Sequence, residues 1–158
     1  MFSSKSNEWE TPQALFDELD REFKFTLDPA ATVENAKCRQ FYTLKENGLI
    51  QDWQGETVFC NPPYGKIISA WIKKCYDEAQ KPGTTVVMLL PARTDTQAFH
   101  KYILGKAEIR SIKGRLKFIN RLFPSYRDDG GYKVSGAPFP SMIVVMGKKQ
   151  NKGELHLD

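Results

Sequence analysis

Cysteine is scarce in this chain. Cys38, Cys60 and Cys75 are unevenly spaced and no Cys-x-x-Cys pair occurs, so the sequence spells out neither a disulfide framework nor a cysteine-based zinc site. They read as reduced thiols, Cys60 and Cys75 as core residues. Histidine is scarcer still. His100, beside Phe99, reads as packing or surface, and His156 lies near the C-terminus. Two scattered imidazoles give no nucleophile–base pair and no metal site, so no metal is expected. No run of about 18 apolar residues is present, which argues against a membrane span. Met1-Phe2-Ser3-Ser4-Lys5-Ser6 lacks a signal-peptide core, and the expectation is a cytoplasmic protein. Internal repeats and low-complexity tracts are absent.

What is present describes a globular chain. With 158 residues, 41% hydrophobic and 12% aromatic, it is expected to form one domain over 1–158, with a core from about 7 to 147 and a frayed tail over 148–158. Charge is unevenly distributed. Residues 1–79 hold 9 Lys/Arg against 13 Asp/Glu, a net −4, and residues 80–158 hold 14 against 6, a net +8. Between 106 and 127 stand Lys106, Arg110, Lys113, Arg115, Lys117, Arg121 and Arg127 with only Glu108 opposing them, and Phe118, Phe123 and Tyr126 are interleaved. Cations for phosphate and rings for bases suit a nucleic-acid surface; a solvated basic face is the plainer reading.

Strand and helix signals alternate. Thr11-Pro12 reads as N-cap and first helical residue of a helix running to about Phe23, burying Leu15, Phe16, Leu19 and Phe23. Phe25-Thr26-Leu27 reads as a short strand ending at Asp28-Pro29-Ala30-Ala31. Residues 32–52 are polar, with a small Phe41-Tyr42-Thr43 element and a turn at Asn47-Gly48. A strand over Thr57–Cys60 leads to an apolar stripe, Ile67, Ile68, Trp71, Ile72, Cys75, Tyr76 and Ala79, at helical spacing. Thr84–Leu90 is apolar and β-branched, as a strand buried on both faces should be. A helix carrying Phe99, Tyr102 and Ile103 follows, then strands near 107–112 and 115–118, a Pro/Gly-rich loop over 120–138 and a last strand over Ser141–Met146. The pattern predicts an α/β fold with a mostly parallel sheet.

The most informative motif is Asn61-Pro62-Pro63-Tyr64, at the end of the Thr57–Cys60 strand. The Asn61 side-chain oxygen and the Pro62 carbonyl can both accept from one planar NH2 group, and Tyr64 offers a ring for stacking. Such a trap suits methylation of an exocyclic or amide nitrogen, whose delocalised lone pair is weakly nucleophilic. A Pro-Pro turn with no chemistry is the bland alternative. The strand–turn–helix context places the motif where open α/β sheets hold ligands.

Trp9-Glu10-Thr11-Pro12, Leu27-Asp28-Pro29-Ala30-Ala31, Asn61-Pro62-Pro63-Tyr64, Leu89-Leu90-Pro91-Ala92-Arg93-Thr94-Asp95, Ile112–Phe118 and Ala137-Pro138-Phe139-Pro140-Ser141 together resemble the bacteriophage-type DNA N6-adenine methyltransferases, over about residues 7–147. The resemblance implies a compact Rossmann-like domain without a large target-recognition domain, S-adenosylmethionine as donor and adenine in double-stranded DNA as acceptor. It implies a target-base pocket from Asn61, Pro62, Pro63 and Tyr64, and a cofactor site from Trp9, Thr11, Pro12, Asp28, Pro29, Ala30, Asp52 and Trp53. Asp52 would accept from the cofactor's adenine amino group, though Trp53 reads equally well as core. Arg93, Lys113, Arg115, Lys117 and Arg127 are the expected DNA contacts; for Arg93 an ion pair with Asp95 or another carboxylate is the competing reading. If the chain is phage-encoded, the host cytoplasm is its expected location.

One departure stands out. Asp28 to Asn35 contains no glycine, where many methyltransferases carry a glycine-rich turn, so the holder of the methionine carboxylate is left open. Only 33 positions separate Asp28 from Asn61, which leaves little room for a full strand–helix pair. Rival readings keep the fold and change the acceptor to RNA or a protein glutamine amide, or take the chain as a non-catalytic nucleic-acid-binding module. Oligomeric state is not legible.

Overall fold

The computed structural model describes residues 9–119 and 134–147, with backbone only for 134–136. Helix α1 covers Gln13–Phe23, β1 Leu27–Asp28, β2 Gln40–Phe41, β3 Thr57–Cys60, α2 Ile68–Ala79, β4 Thr85–Pro91, β5 Glu108–Ser111, β6 Lys117–Ile119, β7 Val134–Gly136 and β8 Ser141–Met146. A 3₁₀ turn spans Gly48–Ile50 and a π-helical turn Phe99–Ile103. Six strands form one sheet in the order β2-β1-β3-β4-β8-β5. The β1–β2, β1–β3 and β3–β4 pairs are parallel, and β8 runs antiparallel to both β4 and β5. This mixed, mostly parallel α/β sheet with few helices is compatible with a methyltransferase fold.

The continuous apolar run of β4 has the expected cause: both faces of the sheet are covered. Alternate residues face opposite layers. Val58, Cys60, Val86, Met88 and Leu90 join Trp71, Ile72 and Cys75 of α2 and Phe99 and Ile103 of the π turn. Phe59, Val87, Leu89, Ile143 and Val145 face Phe16 and Leu19 of α1 together with Phe118 and Phe139. Cys60 and Cys75 are both fully buried thiols.

Three expectations need correction. Thr11 is not the N-cap of α1, which starts at Gln13 after Pro12 with no side-chain cap; the Thr11 hydroxyl is committed to Asn61 instead. The first strand is Leu27–Asp28 and not 25–27, because its partner Val58 lies opposite Leu27. Within the expected 120–138 loop, Val134–Gly136 is a strand paired antiparallel with Lys117–Ile119. Backbone pairing asks nothing of side chains, so Gly136, one of the residues that suggested a loop, can end a strand. Residues 120–133 and the tail lie outside the described residues.

A buried carboxylate joins the sheet's flank to α2. Glu78 accepts from the Trp53 backbone N–H at 2.8 Å, from Lys74 Nζ at 2.8 Å and from Lys81 Nζ at 2.9 Å. Burial works against its charged form, but the hydrogen bonds from Lys74, Lys81 and Trp53 outweigh it and hold the carboxyl below the ordinary glutamate range. Glu78→Ala strands a buried N–H and ammonium, and should cost about 3 kcal/mol of stability. Urea denaturation checks this; an unchanged midpoint would refute it.

Candidate active site

Because β1, β3 and β4 are parallel, Asp28, Asn61 and Pro91 emerge at the same edge of the sheet, the position at which open α/β sheets bind ligands. Two clefts open there. The first, about 580 Å³, is lined by residues from Trp9 to Trp71, among them Thr11, Asp28, Pro29, Ala30, Lys37, Gly48, Asn61, Pro62 and Pro63. The second, about 590 Å³, is lined from β4, the π turn and the β8 approach by residues including Leu90, Arg93, Phe99, Phe139 and Met142. Trp9, Tyr64, Gly65 and Lys66 line both and form the wall between them.

The Asn61 amide is oriented by the N-terminal segment. Its Nδ2 donates to the Trp9 carbonyl at 2.5 Å and to Thr11 Oγ1 at 3.0 Å. Both donors are used, and because the Trp9 carbonyl can only accept, exchanging the NH2 end with the oxygen would lose that bond and set two acceptors against each other. Oδ1 is buried and has no partner among the described residues, a state that costs roughly 1–3 kcal/mol when nothing fills it. Thr11 itself is buried.

Tyr64 departs from the expected open stacking face. Its ring is buried and meets Phe139 edge-to-face at 5.6 Å, and its hydroxyl donates to the Leu89 carbonyl at 3.2 Å. The cause is its place in the core layer under β4: the ring is the partition between the clefts, with little surface free in either.

Asp28 ends β1 inside the first cleft and is almost wholly buried. Desolvation pushes its carboxyl up to about 6, against the lowering effect of the Lys37 and Ala30 N–H groups and the Lys37 charge. The glycine that the 28–35 turn lacks comes from elsewhere in the chain. A Cβ on Gly48 would sit 2.2 Å from the Pro29 carbonyl oxygen, so Gly48 lets the 43–48 turn close against the strand end. The sequence signal was the Asn47-Gly48 turn, legible as a turn but not as a partner of Pro29.

Asp52 and Trp53, expected at the cofactor, lie outside the lining of both clefts. Asp52 is exposed, bonds Lys81 at 2.9 Å and the Gln54 N–H at 3.0 Å, and lines neither cleft. Trp53 is wholly buried, its indole N–H donating to the Gly48 carbonyl at 3.1 Å and its ring stacked on Trp71. The Trp buttresses the cleft from behind. Pro12 separates Thr11 from α1 and lines neither cleft. Residues that the sequence reading passed over and the structure brings in are Glu10, Thr32, Asn35, Lys37, Leu44, Gly48 and Trp71.

Arg93 is exposed, lines the second cleft and lies over Phe139 at 5.8 Å; it forms no ion pair with Asp95 among the described residues. Lys113, Arg115 and Lys117 are exposed on and before β6, and Arg115 donates to the Ala137 carbonyl at 3.2 Å. Arg110 is tied up, forked onto Glu22 of α1 at 2.7 and 2.8 Å and bonded to Glu108. Arg127 lies outside the described residues. Among the described residues no group of His, Cys, Asp and Glu is placed to hold a metal ion, and no helix is long and apolar enough to cross a membrane.

The raised Asp28 carboxyl has a measurable consequence. A folded-state pKa of about 6 against an ordinary 3.8 means that the folded protein holds this proton more tightly than the unfolded chain. The resulting stability is present below about pH 4 and is lost as pH rises to about 6; at about 1.4 kcal/mol per unit it amounts to at most about 3 kcal/mol. Other carboxylates titrate with the opposite slope, so the comparison is with Asp28→Asn. The difference in urea unfolding free energy, wild type minus variant, should fall across pH 4–7; a constant difference would show that Asp28 is not buried as described.

Comparison with known proteins agrees over nearly the whole chain. The family described as DNA N-6-adenine-methyltransferase (Dam) matches residues 2–156. A DNA N-6-adenine-methyltransferase of Haemophilus phage HP1 (strain HP1c1) is 31% identical over 93% of this chain and 82% of its own length. One of Escherichia phage T1 is 33% identical over 93% of this chain and 65% of its own. Matched from residue 2 to residue 156, this chain belongs to the DNA N-6-adenine-methyltransferase family.

Proposed function

We propose that Asn61, Pro62, Pro63 and Tyr64 form the catalytic corner at which this DNA adenine-N6 methyltransferase modifies an adenine swung out of the duplex, and that the 580 Å³ cleft holds S-adenosylmethionine. The observation that carries the reading is the Asn61 amide: its nitrogen is doubly held and its buried oxygen has no partner among the described residues. That is the arrangement wanted for accepting a hydrogen bond from a substrate NH2. The cleft fits the donor. Its volume lies in the range of sites for ligands of this size, a carboxylate stands at the end of β1, and its walls mix apolar and polar groups. When bound, the donor supplies a methyl group on a positively charged sulfur.

The protein's own contribution is positional and electrostatic. Asn61 Oδ1 and the Pro62 carbonyl accept from N6–H, localise the nitrogen lone pair and stabilise the positive charge that builds there. Asp28, Pro29, Ala30, Thr11 and Trp9 shape the donor cleft, and Tyr64 sets the distance between donor and base, for which alignment is worth several kcal/mol. The second cleft, with Phe139 and Arg93 at its walls, receives the extruded base, and Lys113, Arg115, Lys117 and Arg127 meet phosphates. Residues 1–158 act as one catalytic domain.

Incubating the protein with donor and mixed-sequence duplex DNA should produce N6-methyladenine by nucleoside mass spectrometry, with RNA and glutamine-bearing peptides as parallel acceptors. An unchanged adenine pool beside a methylated RNA or peptide would overturn the acceptor. Asn61→Ala should lower turnover at least about 100-fold, with donor affinity by calorimetry nearly intact.

The hydroxyl of Thr11 gives a sharper test. Thr11→Val removes one of the two acceptors that orient Asn61 and should lower kcat about tenfold, one hydrogen bond's worth, with KM for DNA little changed. Thr11→Ser keeps the oxygen and should restore most of the rate. Equal losses in both variants would mean that Thr11 matters for its volume alone.

A further inference from the structure

The first cleft holds a feature that methyl transfer does not explain. Lys37 Nζ stands 3.8 Å from Glu10 Oε2, and both side chains are more than nine-tenths buried while lining the cleft. Lys37 Nζ also donates to Gln13 Oε1 at 2.8 Å. A buried ion pair is poor value as a stabilising device, because removing two charges from water offsets most of their attraction. The two residues come from different segments of the cleft's lining. Glu10 is the chain neighbour of Thr11, which orients Asn61, and its carbonyl accepts from the Ile119 N–H at 3.2 Å. The Lys37 N–H donates to Asp28 Oδ2 at 3.0 Å. One charge is therefore fixed to the catalytic corner and the other to the end of β1.

We propose that Glu10 and Lys37 form a zwitterion site that holds the α-amino-acid end of the methyl donor, Glu10 facing the ammonium and Lys37 the carboxylate. The inference rests on the cleft being the donor site. A zwitterion needs two opposite charges a few ångströms apart, presented in the reverse sense. A lone cation or a lone helix end would match only one of its groups. It also accounts for a turn without glycine: where the 28–35 segment offers no glycine-rich cradle for a carboxylate, an ammonium from Lys37 takes that part. The sulfur lies only a short aliphatic arm from the amino-acid end, so anchoring that end beside Thr11 brings the methyl group to Asn61.

The test needs no turnover. Calorimetry with S-adenosylhomocysteine, its carboxyl methyl ester and 5′-methylthioadenosine, which lacks the amino-acid arm, separates the contributions. Wild type should prefer S-adenosylhomocysteine to the ester and to methylthioadenosine by about tenfold to a hundredfold, the range for a charge-assisted hydrogen bond. Lys37→Gln and Glu10→Gln should erase most of that preference and leave methylthioadenosine affinity within about threefold. Equal wild-type affinity for all three ligands overturns the zwitterion site, and needs no variant that might misfold. Variants that lose all three ligands together overturn it as well, since the pair would then be scaffolding. Wild type binding none of them would instead overturn the donor cleft itself, and this inference with it.

Discussion

The amide of Asn61 can face only one way, and the rest of the site is arranged to keep it so. Its two N–H donors are taken by the Trp9 carbonyl, which can only accept, and by the Thr11 hydroxyl, and the oxygen is the end left without a partner among the described residues. An asparagine free to flip would present a donor to a substrate amine half the time, and two donors repel. The constraint explains why the segment ahead of α1 is buried although it belongs to no regular element. It also explains why Thr11 does not cap the helix. One hydroxyl cannot serve both tasks well, and the bond to Asn61 takes precedence over about 1 kcal/mol of capping.

Strand direction does the remaining positioning. Three parallel strands bring Asp28, Asn61 and Pro91 to one edge, and the antiparallel β8 then carries Ser141 back to pair with Pro91 at that same edge. Phe139, two residues before β8, thereby reaches Trp9 at 5.4 Å, Tyr64 at 5.6 Å and Phe118 at 6.2 Å. A cluster of four rings drawn from four distant parts of the chain closes the partition between the clefts. Tyr64 is better understood as part of this wall than as an open platform. A buried ring fixed by a bond to Leu89 holds a separation more rigidly than a solvent-facing one.

Elements with strong local signals were legible in the sequence: β3, α2, β4 and β8 fall within a residue or so of their expected places, because apolar periodicity and flanking Pro and Gly decide them. The Asn61-Pro62-Pro63-Tyr64 turn could be read as one unit at a strand end, since its residues are consecutive. What escaped was whatever depends on chain segments meeting. Nothing local marks Gly48 as the residue that lets a turn close on Pro29, or Lys37 as lying opposite Glu10. The position of Asp52 and Trp53 outside both clefts was hidden for the same reason. The pair resembled a ligand site in order along the chain, but Trp53 is drawn inward by Glu78, Trp71 and the Gly48 carbonyl, and that pull places Asp52 outside with Lys81.

The uneven charge of the chain then acquires a structural meaning. Every residue lining the first cleft lies between 9 and 71, within the half whose net charge is −4. The second cleft takes Trp9, Tyr64, Gly65, Lys66, Ile68 and Ile72 from that half and the rest of its lining from 90–142, within the half that carries +8, where the exposed Lys113, Arg115 and Lys117 also belong. The lining of the first cleft is itself balanced, Glu10 and Asp28 against Lys37 and Lys66, whereas a basic second half suits a polyanion. The crude excess overstates the case, because Arg110 is neutralised by Glu22 and Glu108 and belongs to the fold. What survives that correction is a division of labour along the chain, joined at Trp9, Tyr64, Gly65 and Lys66, where the two clefts share a wall. Lys66, from the acidic half, is the one cation on that wall. Its position at the boundary fits a ligand whose negative charge lies on the far side, next to the basic face.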